Sequence, residues 1–408
     1  MSSFVVRGNK RLSGEVYVSG SKNAALPLVF ASMIVRGTSV FYNLPDISDI
    51  AVAIKILQSF GAIVYREGNR VYINSENLEY KIPSPLDTAK LRASTYLIGA
   101  MLVRFGRAPI MQFGGCNFDF RPIDMHVLAA SEFGAVLDGD VLVAKRLSAA
   151  EVHFDKISVG ATVNALILAA GTDGVSRIYN YASEPHVDSL IDFLTSAGAR
   201  ITKRDSYIEV VGGNLHSATV EVVGDMIEAG TFLAISLMTN SDVTVRNADY
   251  THLSSYFNFL TRTGALVEFS DYHIKAFGKS IDYTEIITEP YPGFPTDLQP
   301  IAAPLLAFGG GGRIYERVWH GRFGYLEELS NFGVKYKRYD GYADIYKSKI
   351  KPARARATDL RGGAALLISA LSAEGESIID SSEIIMRGYE NIIEKLSALG
   401  ADIKERNT

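Results

Sequence analysis

The chain has 408 residues, enough for two domains of ordinary size, each with its own core. Apolar residues make up 47% and charged residues 21%, a globular balance that excludes a disordered chain. Lysine and arginine number 41 against 45 acidic residues, and the net charge of −4 excludes any global pull toward nucleic acid or a membrane surface.

A strand is predicted before Lys22, followed by a helix, NAALPLVFASMIV, that is apolar nearly all round. Next come a strand (TSVFYNL), an amphipathic helix (IAVAIKILQSF), the tag Phe60-Gly61-Ala62 and two alternating strands joined by a tight turn, AIVYREG-NRVYIN. This plan recurs along the chain. Its tag returns as Phe133-Gly134-Ala135, Ala197-Gly198-Ala199, Thr263-Gly264-Ala265, Phe332-Gly333-Val334 and Leu399-Gly400-Ala401, with glycines 73, 64, 66, 69 and 67 residues apart. Buried helices are predicted again in NALILAAGT and LRGGAALLISAL, and amphipathic ones in SLIDFLTSA and NIIEKLSAL. Each tag glycine reads as a left-handed helix C-cap. The expectation is an α/β protein of six βαβαββ repeats in two domains of three. The domains are 22–223 and 1–21 with 224–408, the strand before Lys22 crossing to the second and linkers falling near 20–22 and 222–226.

The single cysteine, Cys116, excludes an intramolecular disulfide and argues against a thiolate-rich metal site. None of the seven histidines has metal-ligand spacing, so neither metal nor cofactor is expected. The opening MSSFVVRGNKRLSGEV lacks a signal-peptide pattern, and the apolar run 24–35 is too short for a bilayer. A cytoplasmic protein is expected.

The repeat register places unusual residues at one topological position, the helix entrances. The first helices open on Ser21-Lys22-Asn23, Lys90-Leu91-Arg92, Ser158-Val159-Gly160, Asp225-Met226-Ile227-Glu228, Thr296-Asp297-Leu298-Gln299 and Asp359-Leu360-Arg361. The second carry Pro45-Asp46, Arg121-Pro122-Ile123-Asp124, Glu184-Pro185, Asp249, Arg322 and Arg387. Helix N-termini offer free N–H groups to anions and disfavour cations. Lys22, Arg92, Arg121, Lys156, Arg322, Arg361 and Arg387 at such ends therefore read as a cationic pocket. The alternative is a structural network in which they pair with Asp46, Asp124, Asp225, Asp359 or Glu184.

At these residues the chain resembles the enolpyruvyl transferase family, from about residue 3 to 405. The stretches that carry the resemblance are GSKNAALP, LRAS, GGCNFDFRPIDMH, DKISVGATVN, GDMIEAGTF, FPTDLQ, RF at 322–323, DLRGGAAL and RGYENI, in order and at matching spacing. The resemblance implies an inside-out α/β barrel of two three-unit domains with a cleft between them. It also implies transfer of the enolpyruvyl group of phosphoenolpyruvate to the 3-hydroxyl of UDP-N-acetylglucosamine with release of phosphate, the first committed step of peptidoglycan synthesis.

By the same resemblance Cys116 is the general acid at C3 of phosphoenolpyruvate and the thiolate alkylated by epoxide inhibitors, and Asp297 faces the sugar 3-hydroxyl as base or proton relay. Lys22, also placed in the catalytic set, holds the phosphate with Arg121 and Arg387, while Arg322 and Arg361 lie near the carboxylate. Asn23 is shared between phosphoenolpyruvate and the sugar nucleotide. Arg92 and Arg121 match nucleotide contacts, Lys156 with Ser158, Val159 and Gly160 a diphosphate-cradling turn, and Pro122, Asp124, Met125 and His126 the uracil stretch. Asp297 and Val318 complete the UDP-sugar set. The partners implied are two small molecules, with no nucleic acid, membrane or obligate protein.

Three stretches depart from the family pattern: Met226 at the entry to the second domain, Asn117-Phe118-Asp119-Phe120 after Cys116, and Trp319-His320-Gly321 before Arg322. They leave open a different uridine nucleotide, such as UMP, as acceptor. An idle nucleotide-sugar-binding paralogue is a third reading.

Overall fold

The protein is described by a computed structural model over residues 2–114, 122–271, 273–278 and 282–407. The described chain forms two compact units, one of residues 20–114 and 122–223 and one of residues 2–19 and 224–407.

In the first unit, three helices lie inside: Lys22–Ala31, Leu97–Phe105 and Val159–Ala170. Every residue from Ala161 to Ala170 is buried, as the near-continuous apolar run requires. Each Leu, Val or Phe enclosed this way contributes about 1.5–3 kcal/mol from removed apolar surface. The amphipathic helices Ser48–Ser59 and Pro185–Ser196 alternate buried and exposed positions. The second unit repeats the plan with buried helices Met226–Met238, Gln299–Phe308 and Leu360–Ser372.

Each repeat supplies one sheet, five of four strands and one of three among the described residues. In Thr284–Thr288, Gly312–Glu316, Tyr342–Tyr346 and Lys335–Arg338, the first strand runs parallel to the second and a hairpin completes the sheet. Two repeats trade their leading strands. Ser13–Tyr17 precedes the helix Lys22–Ala31 in the chain but runs parallel to Asp242–Arg246, whereas Thr219–Glu221 runs parallel to Thr38–Tyr42. The last sheet is completed by the start of the chain, with Ser2–Arg7 antiparallel to both Glu376–Asp380 and Asp402–Asn407. The second repeat departs from the plan. A short helix, Pro85–Thr88, and the 3-10 turn Arg92–Tyr96 stand where a leading strand is expected, and its sheet is Arg107–Pro109, Val141–Val143 and Val136–Asp138.

All six tag glycines have positive φ, from 87° at Gly333 to 114° at Gly198. At Gly61, for example, the glycine N–H bonds Gln58 O and the next N–H reaches back to Leu57 O, which closes the helix end. A second recurring device was not read from the sequence. Asn43 and Asn247 are left-handed, with φ of 55° and 61°, and their amides donate to Val222 O and Val18 O at 2.8 Å each. A Cβ on Gly20 would lie 1.8 Å from Asn43 O and one on Gly224 1.6 Å from Asn247 O, so both connecting strands admit only glycine there.

No helix among the described residues is long and apolar enough to cross a membrane.

Candidate active site

In the 224–407 unit the strand Gly312–Glu316, the turn Thr296–Leu298 and the helix Leu360–Ser372 bring one carboxylate to two guanidinium groups. Asp297 Oδ1 accepts from Arg322 Nη1 at 2.8 Å, and Oδ2 accepts from Arg361 Nε at 3.2 Å. Arg322 also donates to Thr296 Oγ1 at 3.1 Å. Both guanidinium groups are buried, Arg361 to 1% exposure, while Asp297 is half-buried. Burial works against the charge of Arg322, but Asp297, Asp359 and Glu316 outweigh it and raise its pKa.

Arg361 is held from three sides. Asp359 caps its helix, accepting the backbone N–H groups of Arg361 and Gly362 at 3.0 and 2.9 Å. Tyr389 lies under the guanidinium, its ring centroid 5.4 Å from the guanidinium carbon, and the Tyr389 hydroxyl is 2.9 Å from Thr231 Oγ1. Yet Nη1 and Nη2 of Arg361 are enclosed with no hydrogen-bond partner among the described residues. A buried, charged fork of donors left unsatisfied is costly unless an anion meets it. Arg387 is half-buried at the end of the helix Glu383–Met386, on a segment packed on the same helix entrance. A Cβ on Gly363 would come within 2.6 Å of Ile385 and one on Gly388 within 2.6 Å of Leu360. Val318, also assigned to this side, is half-buried, and its N–H is bound by Glu316 at 3.0 Å.

In the 20–223 unit, Lys22 and Asn23 open the helix Lys22–Ala31 and are half-buried. Lys22 Nζ lies 3.7 Å from Asp49, in the first turn of Ser48–Ser59, an acidic residue not weighed from the sequence. Arg92 is half-buried and donates to Pro122 O at 3.2 Å, joining two of the stretches assigned to the nucleotide. Ser158 caps Val159–Ala170 by accepting from Ala161 N at 3.3 Å, and Lys156 just before it is exposed. Pro122 and Asp124 are exposed and Met125 half-buried.

His126, by contrast, is buried. Its Nδ1 accepts from Asn164 at 2.7 Å, and the Asn164 amide is oriented by Gly99 N and Thr95 O. Desolvation, with Arg92 adding to it, pushes the His126 pKa down to about 4, so the ring is neutral and carries its proton on Nε2. A Cβ on Gly160 would sit 2.8 Å from the His126 ring, so this glycine lets the Ser158-Val159-Gly160 turn close over the histidine. Cys116 and Arg121 lie outside the described residues.

A surface groove of about 680 Å³ lined by Arg107, Lys145 and Thr172, and another of about 500 Å³ lined by Phe308, Lys335 and Ser372, contain none of these residues. Open guanidinium donors mark the candidate site. Among the described residues no group of three or more His, Cys, Asp or Glu is arranged to hold a metal.

The model of the EPSP synthase family (3-phosphoshikimate 1-carboxyvinyltransferase) matches residues 6–396. The chain belongs to this family. Among its relatives within the carboxyvinyltransferases, the UDP-N-acetylglucosamine 1-carboxyvinyltransferase 3 of Caldanaerobacter subterraneus subsp. tengcongensis is 39% identical over 413 residues, covering 99% of each chain. The UDP-N-acetylglucosamine 1-carboxyvinyltransferase of Desulforapulum autotrophicum is 37% identical, again over 99% of each. Among solved structures, the enolpyruvyl transferase NikO from Streptomyces tendae superposes with a TM-score of 0.91 at 25% identity, covering 100% of this chain and 99% of that one. The EPSP synthase of Acinetobacter baumannii, with a TM-score of 0.74 at 16% identity and all of both chains covered, shares the fold. The chain therefore shares the fold of the enolpyruvyl transferases.

Several residues that shape the site escaped sequence reading. Asp359 was placed at a helix entrance and weighed as a pairing partner, but not read as the cap of the helix that presents Arg361. Asp49 and Asn164 were not singled out, and Glu316 has no flanking motif. Asp49 had a usable signal, an acidic residue in the first turn after Pro45-Asp46. Asn164 had another, an amide inside an otherwise apolar helix, where it needs partners.

Proposed function

We propose that the protein transfers the enolpyruvyl group of phosphoenolpyruvate to the 3-hydroxyl of UDP-N-acetylglucosamine, releasing phosphate, and so opens peptidoglycan synthesis in the cytoplasm. The observation that carries this reading is Arg361, an enclosed guanidinium with two donors unsatisfied among the described residues, linked through Asp297 to Arg322. Guanidinium donors that the protein itself leaves open suit the carboxylate of phosphoenolpyruvate. The names of full-length relatives at 37–39% identity supply the acceptor.

In this reading Asp297 takes the proton of the sugar hydroxyl or relays it, and Cys116 delivers a proton to C3 of phosphoenolpyruvate. Fixed cations then stabilise the tetrahedral ketal without reorganising. Lys22, Arg121 and Arg387 hold the phosphate, and Arg322 and Arg361 the carboxylate. Asn23, Arg92, Lys156, the Ser158-Val159-Gly160 turn and the stretch from Pro122 to His126 receive the nucleotide, with Val318 on the sugar side. We read the domains as 22–223 and 1–21 with 224–408, each an inside-out α/β barrel with three helices inside three sheets. Trp319-His320-Gly321 favours keeping a second acceptor under test, another uridine nucleotide.

A phosphate-release assay separates the readings. With phosphoenolpyruvate, release is expected with UDP-N-acetylglucosamine and not with UMP or shikimate 3-phosphate. Turnover with UMP alone would overturn the acceptor, and no turnover with any of the three would overturn the activity.

A further inference from the structure

Glu316 is buried to 1% exposure at the end of the strand Gly312–Glu316, and its carboxylate accepts from three neighbouring segments. Oε1 accepts from Thr288 Oγ1 at 2.6 Å and from the backbone N–H groups of Val318 and Trp319 at 3.0 Å each. Oε2 accepts from Thr296 Oγ1 at 2.9 Å. No ionised carboxylate can donate, so the Thr296 hydroxyl must point its proton at Glu316. Its lone pairs are thereby turned toward Arg322 Nη1, 3.1 Å away, and the same Nη1 donates to Asp297 at 2.8 Å.

From this chain of bonds we infer that Glu316 is a positioning residue for the proposed reaction. Through Thr296 it aims Arg322 at Asp297, and through Val318 and Trp319 it sets the loop before Arg322. A single buried carboxylate thus couples the backbone beside Trp319 to the carboxylate–guanidinium pair. The inference rests on the activity proposed above for Asp297 and Arg322. Its geometric part does not.

Glu316→Gln tests it with little change of volume. The amide oxygen stays with the three donors at Oε1, so the NH2 group must face Thr296 and reverse that one hydrogen bond. The Thr296 proton then turns away from residue 316 and competes with Arg322 Nη1. Turnover is expected to fall roughly tenfold to hundredfold, in kcat rather than in the calorimetric Kd for UDP-N-acetylglucosamine. Thr296→Val should fall similarly, Thr296→Ser should restore turnover to near the parent, and Thr296→Val added to Glu316→Gln should cost nothing further. A crystal structure of Glu316→Gln, which needs no turnover, should show Arg322 withdrawn from Asp297. Unchanged Arg322 geometry, parental kcat in Glu316→Gln, or additive losses in the double variant would each overturn the inference. An inactive parent would count against the activity alone, since the crystallographic comparison still decides the positioning role.

Discussion

In the 224–407 unit, Glu228 and Asp297 each meet cationic side chains at the entrance of a buried helix, but the two clusters close differently. At Glu228 both carboxylate oxygens are taken, by Lys395 Nζ at 2.5 Å and Ser19 N at 2.9 Å, and Lys395 also donates to Ser19 Oγ at 2.7 Å. Lys395 and Glu228 form a direct pair, and the cluster anchors residue 19 beside the strand that leaves the unit. At Asp297 two guanidinium groups meet one carboxylate, and the Nη groups of Arg361 have no hydrogen-bond partner among the described residues. The lesson is that ionic pairing by itself does not separate a structural cluster from a ligand site. What separates them is whether the buried donors find acceptors inside the protein. In the other unit, His126 with Asn164 is a closed cluster that is neutral rather than ionic.

The contrast can be broken by substitution. Glu228→Met strands Lys395 in an enclosed site and should lower stability by about 4 kcal/mol in urea unfolding. Arg361→Met should instead lower phosphate release by two to three orders of magnitude, about 3–4 kcal/mol in the transition state, with a smaller change in Tm. If Arg361→Met unfolded the protein as Glu228→Met does, the two clusters would be of one kind. The closed histidine gives a pH signature. Its pKa of about 4 lies below the value near 6.5 expected when unfolded, so the unfolded chain binds the proton first as pH falls. Stability should therefore decline between about pH 6.5 and 4, by about 3 kcal/mol in total, and His126→Gln should flatten that slope in urea titrations. The smallest effect is expected for Glu228→Met with Lys395→Met. An apolar pair in place of a balanced buried ion pair should return stability to within about 1 kcal/mol of the parent.

Much of the architecture was legible because it repeats. The glycine tags follow from local backbone geometry, since a helix closed by a left-handed residue favours glycine wherever it occurs. The all-apolar first helices follow from burial on every side. Lys22, Arg322 and Arg361 stood out as cations at helix entrances, where the helix dipole makes them unfavourable without an anion.

What the sequence did not determine were relations between residues far apart in the chain. That Lys22 approaches Asp49, that Asn164 holds His126 beneath Gly160, and that Glu316 orients Thr296 toward Arg322 depend on how neighbouring helices and strand ends pack. The traded strands Ser13–Tyr17 and Thr219–Glu221 are of the same nature: either is a plausible edge strand locally, and only the parallel ladders decide which sheet each completes. Local sequence determines where a helix starts and which face is apolar, because those are set by one segment's backbone and side chains. Which acceptor meets which donor is a property of the assembled core, where a buried polar group must find a partner from another segment or remain open to a ligand.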